Sequence, residues 1–150
     1  MRKNLLIMLF ILIIGTMVLV GRFHVSSRKA QNTVRIEFKD NSNYFREVAG
    51  FLLSYPGQDL RISDNPYISS NDAIINEKVY QTEAGKKISE LGYDLIRTEL
   101  EGGVYFYRYR IRDLGRGLMY YPNGFRLEYN KQVIDYIPLT EDGWYYFAEQ

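Results

Sequence analysis

Asn4 to Gly21 is a run of 18 positions without a charged side chain, within which Leu5 to Phe10 and Ile11 to Ile14 are unbroken apolar residues. As a helix it would reach about 27 Å, close to the roughly 30 Å hydrocarbon layer of a bilayer. A helix buried in a soluble protein would carry a polar stripe, and this segment has none. Residues 4-21 are therefore expected to be a single transmembrane signal-anchor helix, with residues 1-3 as a cytoplasmic N-terminus. Arg2 and Lys3 on one side nearly balance Arg22, Arg28 and Lys29 on the other, so orientation rests on the short N-terminal flank and the long downstream domain, which put that domain outside the cytoplasm. A cleaved secretory signal is the alternative, with Val25-Ser26-Ser27 as a poor cleavage site. The long apolar run and the lack of Ala-x-Ala favour retention.

After a juxtamembrane linker, residues 22-32, the remaining residues 33-150 have the size of one domain and can bury a core without covalent staples. There is no cysteine, so disulfides, thiolate metal sites and thiol nucleophiles are excluded. An exported domain without cysteine fits a bacterial envelope. Residues 1 to 29 hold five of the 19 basic residues and no acid, which leaves 14 basic against 18 acidic side chains, a net of −4, in the rest. Nucleic acid is an unsuitable partner for a domain of that charge, because it needs clustered positive groups on the phosphates.

Val34, Ile36 and Phe38 alternate with charged residues, which predicts a half-buried strand. Asp40-Asn41-Ser42-Asn43 offers turn and cap chemistry, and Tyr44, Phe45, Val48, Phe51 and Leu52 recur at helical spacing up to Tyr55-Pro56-Gly57. A short strand is expected at Leu60 to Ile62, then a polar loop from Ser63 to Asn71. Thr82 is a good N-cap for a second helix, in which Ala84, Ile88 and Leu91 share a face and Gly92 supplies the stop. Strands are expected at Tyr93 to Leu100, Val104 to Arg112, Leu118 to Tyr121, Phe125 to Tyr129, Val133 to Leu139 and Trp144 to Phe147, with Asn123-Gly124 as a tight hairpin turn. The expected fold class is α+β: an N-terminal transmembrane helix, then a small domain of two helices packed on an antiparallel β-meander of five or six strands.

His24, the only histidine, lies in the linker, so Ser-His-Asp, Cys-His and zinc arrangements cannot be assembled within the domain. No catalytic residue, metal site or cofactor is expected. Gly115-Arg116-Gly117 and Glu101-Gly102-Gly103 lack the strand-turn-helix setting of a phosphate cradle and read as turns. Glu99 and Glu101 are the one carboxylate pair on which acid-base chemistry could rest.

The stripe Val104 to Arg112 is more distinctive. Unbroken alternation would point Tyr105, Tyr107, Tyr109 and Ile111 to one side and Phe106, Arg108, Arg110 and Arg112 to the other. One reading packs the tyrosines on the helices and leaves the arginines to water and cross-strand acids. The other makes Tyr105, Tyr107, Tyr109, Arg108, Arg110, Arg112 and Trp144 a binding face for an envelope protein or an anionic or sugar polymer. The 14 tyrosines, with Tyr120-Tyr121 and Tyr145-Tyr146 aromatic on both sides of their strands, suit either.

Two local resemblances stand beside these patterns. Asp142-Gly143-Trp144-Tyr145-Tyr146-Phe147 resembles one hairpin of the choline-binding repeats of bacterial surface proteins. Gly115 to Tyr129 is similar to a single MORN repeat, a hairpin unit with Gly-x-Gly, a central aromatic and Asn-Gly. Both families stack tandem copies, because one unit cannot bury its own face, and here each occurs once. The function expected is a non-enzymatic, membrane-anchored binding module outside the cytoplasm. The alternatives are a carboxylate-dependent envelope enzyme and a secreted form of the same domain.

Overall fold

The computed structural model describes the backbone of residues 2–55, 57–111, 114–126, 128 and 132–150, and side chains from residue 27 onward within those ranges, Ile111 excepted. The chain divides into two compact units, Met1–Thr33 and Val34–Gln150. Among the described residues no helix is long and apolar enough to cross a membrane. The side chains of the expected span, residues 4-21, lie outside them. The fold is α+β, with three helices and a six-stranded antiparallel sheet.

The strand expected at Val34 to Phe38 is helix instead, because α1 (Arg2–Leu53) runs through it. Over five residues both periods fit: Val34 and Phe38 alternate with Ile36, but they also stand four apart. The helical stripe continues through Phe45, Val48, Ala49 and Leu52, all buried, whereas Ile36 is 62 % exposed. A stripe that buries six side chains outweighs a three-residue alternation. The cap chemistry at Asp40 to Asn43 takes the form of a break inside α1. Asn41 leaves the helical region (φ −132°, ψ 19°), and its side-chain Nδ2 donates to the Glu37 carbonyl at 2.9 Å.

A helix beyond the two expected, α2 (Ala73–Gln81), starts at Asp72, whose carboxylate accepts from the Ile75 amide, and buries Ile75 and Val79 four residues apart. α3 (Glu83–Glu90) follows with the expected cap, Thr82 Oγ1 accepting from the Gly85 amide at 2.9 Å, and stops before Gly92 at φ +86°. Gly85 has a packing reason: a Cβ there would lie 2.1 Å from the Val79 carbonyl oxygen.

The strands are β1 (Arg61–Ile62), β2 (Leu95–Thr98), β3 (Val104–Ile111), β4 (Leu114–Tyr120), β5 (Val133–Pro138) and β6 (Trp144–Glu149), in the spatial order β1-β2-β3-β4-β6-β5. The expected meander therefore holds only through β4. Pro122-Asn123-Gly124 does turn, with the Gly124 amide donating to the Tyr121 carbonyl at 3.0 Å, but it leads the chain off the sheet rather than into a hairpin. Phe125 and Arg126, of the strand expected at Phe125 to Tyr129, are not in a strand. Phe125 instead packs against Tyr121, Tyr136 and Tyr145. The chain then forms the edge strand β5 and returns through Glu141-Asp142-Gly143 to insert β6 beside β4. Pro138 is tolerated because its strand has a free side.

Each face of the sheet carries a buried core. Ile62, Ile96, Phe106, Leu118, Tyr146 and Ile137 are neighbours in register across all six strands. They pack with Phe38, Phe45, Val48 and Leu52 of α1, Ile75 and Val79 of α2, and Ala84 and Ile88 of α3. The opposite face holds a second core of Leu95, Tyr105, Tyr107, Met119, Tyr121, Phe125, Val133 and Phe147.

Phe45 is fully buried and meets Tyr93 and Phe106 edge-on at 5.0 and 5.3 Å. Phe45→Ala is expected to cost about 3–5 kcal/mol in urea unfolding, and Ile36→Ala less than about 0.5 kcal/mol. The reverse ranking would restore the strand reading of Val34 to Phe38.

Candidate functional site

The register between β3 and β4 is regular from Val104↔Tyr120 to Tyr107↔Gly117, then shifts, so that Tyr109 pairs with Arg116 and Arg110 with Gly115. Arg108 is the extra residue of a β-bulge, and a bulge turns every side chain beyond it to the other face. Arg108 and Tyr109 thus lie together on the helix side, with the Arg108 guanidinium 5.0 Å from the Tyr109 ring centroid. Arg110 moves to the face that carries Tyr105 and Tyr107. The assignment from unbroken alternation is corrected at both Tyr109 and Arg110.

Opposite the bulge, β4 presents Gly115 and Gly117 on the second face, two residues apart. A Cβ at Gly117 would fall 1.9 Å from the Phe106 carbonyl oxygen, so only glycine allows the strands to approach there. Across Gly117 the rings of Tyr107 and Phe147 meet edge-on at 5.2 Å. Across Gly115, Arg110 of β3 faces Glu149 of β6 in register. A Cβ on Gly115 would sit 2.7 Å from both Glu149 Oε1 and Tyr107 Cε1. The two glycines are buried strand residues, Gly115 making room for the Tyr107 ring and the Glu149 carboxylate, not the hairpin turn expected from Gly115-Arg116-Gly117.

Tyr107, Arg110 and Glu149, the neighbours of Gly115, line a cleft of about 440 Å³ together with Arg61, Leu95, Arg97, Leu114, Gln132 and Gln150. Arg61 and Arg97 are direct cross-strand partners, an arrangement in which like charges repel. Arg97 Nη1 donates to the Tyr107 hydroxyl at 3.4 Å. Among the described residues, none of the three cleft arginines stands within 4.0 Å of a carboxylate. Arg61 Nε and Glu149 Oε2 are buried and without a hydrogen-bond partner among the described residues. Burial pushes the Glu149 carboxyl above the ordinary value, against the opposing pull of the Tyr107 hydroxyl, Arg97 and Arg110.

The other expected binding residues are spread over the fold. Arg108 belongs to the architecture: its Nε lies 3.2 Å from Glu37 of α1, which also accepts the Tyr93 hydroxyl at 3.0 Å. Tyr105 and Trp144 are buried in opposite cores, Trp144 stacked on Tyr120 at 4.7 Å. Tyr109 is 36 % exposed on the helix side. Tyr107, although buried, lines the cleft together with Arg110. Arg112 lies outside the described residues. Arg61, Arg97 and Glu149 come from β1, β2 and β6, and the signal that could have found this place is Gly115-x-Gly117 read as a strand.

Glu99 lines a second cleft, of about 320 Å³, with Glu101, Tyr55 and Tyr121. The Tyr105 and Tyr121 hydroxyls are 2.9 Å apart, and Tyr121 donates to Glu99 Oε2 at 2.7 Å. Burial raises the Glu99 carboxyl, opposed by its hydrogen bonds to Tyr121 and Tyr105 and by the charge of Arg97. Among the described residues no three carboxylate or imidazole groups gather as a metal site would require. Compared with known proteins, the chain matches no family model, no curated protein and no solved structure.

The two neighbouring arginines of β3 are expected to separate by role. Arg108→Ala removes a partly buried, multiply hydrogen-bonded ion pair and should cost about 2 kcal/mol, a drop of several degrees in thermal unfolding, whereas Arg110→Ala on the open cleft should leave Tm within about 1 °C. Equal effects would contradict the bulge. Glu99 and Glu149 are both raised in the folded state from the ordinary 4.5. As pH rises past that value the unfolded chain ionises first, so stability falls until the folded values are passed, and below it nothing is lost. Urea titrations at increasing pH should show a smaller fall in the Glu99→Gln, Glu149→Gln double variant than in the parent, and an unchanged fall would refute these shifts.

Proposed function

We propose that this protein is a non-enzymatic binding module of a bacterial cell envelope, tethered by residues 4-21 as a single-pass anchor, with residues 33-150 outside the cytoplasm. The observation that carries the binding reading is the cleft in which Arg61, Arg97 and Arg110 converge without a carboxylate in salt-bridge range among the described residues. Guanidinium groups arranged in this way suit an anionic partner, such as an acidic polymer or the acidic surface of an envelope protein. The tethering reading rests on the charge-free run of 18 residues and the absence of cysteine. A carboxylate-dependent enzyme is the second reading, favoured by the Tyr105-Tyr121-Glu99 chain, which holds a raised carboxyl at the wall of a cleft.

The tether is tested by expressing the full chain in a bacterium and extracting membranes with alkaline carbonate. The expected result is protein retained in the pellet at full mass and digested by protease added to intact spheroplasts. Full-length protein protected from the protease would invert the orientation. Soluble protein beginning near residue 27 would establish the secreted form.

A further inference from the structure

The cleft is not a simple cationic patch, because its two buried polar atoms without a described partner are of opposite character: Arg61 Nε is a donor and Glu149 Oε2 an acceptor. Leaving either unpaired away from water is unfavourable, and a lone anion would satisfy only the first. Glu149 sits deep, 9 % exposed, on the β6 side, while the arginines stand on β1, β2 and β3. Its carboxylate would repel an anion placed directly against it, so the anion belongs on the arginine side. Leu95 and Leu114 add apolar wall. The volume, about 440 Å³, is within the range of small-ligand sites.

We propose that the cleft takes a bipolar ligand: a carboxylate or phosphate held by Arg61, Arg97 and Arg110, on a body whose adjacent hydroxyl or amino hydrogen is accepted by Glu149. A sugar acid or sugar phosphate has this chemistry, whether free or as the pendant unit of a polymer. The inference rests on the reading of the cleft as a binding site and adds the requirement for a donor beside the anion. Tyr107, whose hydroxyl accepts from Arg97, holds that guanidinium in the cleft and acts as a positioning residue.

The test is isothermal titration of the full chain in a nonionic polyoxyethylene detergent with five probes: glucuronate, glucose 6-phosphate, acetate, methyl phosphate and glucose. The expected result is that glucuronate binds at least about tenfold tighter than acetate, or glucose 6-phosphate at least about tenfold tighter than methyl phosphate, and that glucose alone does not bind. Which pair shows the difference identifies the anion as carboxylate or phosphate. Glu149→Met should bring the polyol and its small counterpart to parity, while Arg110→Ala, at an exposed position, should weaken all anionic probes about tenfold. Arg97→Lys, which keeps the charge and loses the fork, should also weaken them. If acetate and methyl phosphate bind as tightly as the polyols, the bipolar inference fails and the anionic cleft stands. If no probe binds, if glucose binds as well as glucuronate, or if Arg110→Ala changes nothing, both fail.

Discussion

One extra residue in β3 decides what each part of this sheet does. Up to Tyr107 the strand alternates strictly, with Phe106 in the core under the helices and Tyr105 and Tyr107 in the core on the other side. The bulge at Arg108 exchanges the faces beyond it. Arg108 then reaches Glu37, which ties the sheet to α1, while Arg110 is released to the opposite side, where Arg61 and Arg97 already stand. Without the bulge, Arg108 and Arg110 would share one face, and the cleft would lose its third guanidinium. The bulge in turn depends on Gly117, since any side chain there would collide with the Phe106 carbonyl.

The density of tyrosine follows from a sheet with a core on each side. Only one face is covered by helices, and the other closes over itself with Phe125, Tyr136 and Tyr145 from its own chain. Rings that lie flat or edge-on across strands fill such a layer, and their hydroxyls need partners where they are buried. The Tyr105-Tyr121-Glu99 chain and the Tyr93-Glu37 contact supply them. Tyrosine-rich strands here record two cores rather than an exposed aromatic surface.

Sequence patterns located β3 and β6 to within a residue or two, and Thr82 and Gly92 gave both ends of α3, because each of these signals is local: an alternation, a cap oxygen, a positive φ. The failures also have local causes. Val34 to Phe38 satisfies two periods at once, and only the continuation to Leu52 separates them. Asn123-Gly124 specifies a turn but not what the turn connects. A bulge leaves almost no trace in a single strand, since its signature is the missing side chain on the neighbouring strand. Of the cleft, Tyr107 and Arg110 were legible as members of an aromatic and cationic stripe. Arg61, Arg97 and Glu149 were not, because nothing in their own segments distinguishes them from solvated charges.

The sequence by itself determined the charge-free run at residues 4-21, the absence of thiol chemistry, the α+β class and most strand positions, because these depend on composition and on contacts between near neighbours. Tertiary structure alone decided the strand order, with β6 inserted between β4 and β5, and the meeting of Arg61, Arg97, Arg110 and Glu149 in one cleft. Those outcomes depend on register between strands up to 88 positions apart, from Arg61 to Glu149, and register is fixed by the joint packing of both cores rather than by any one strand.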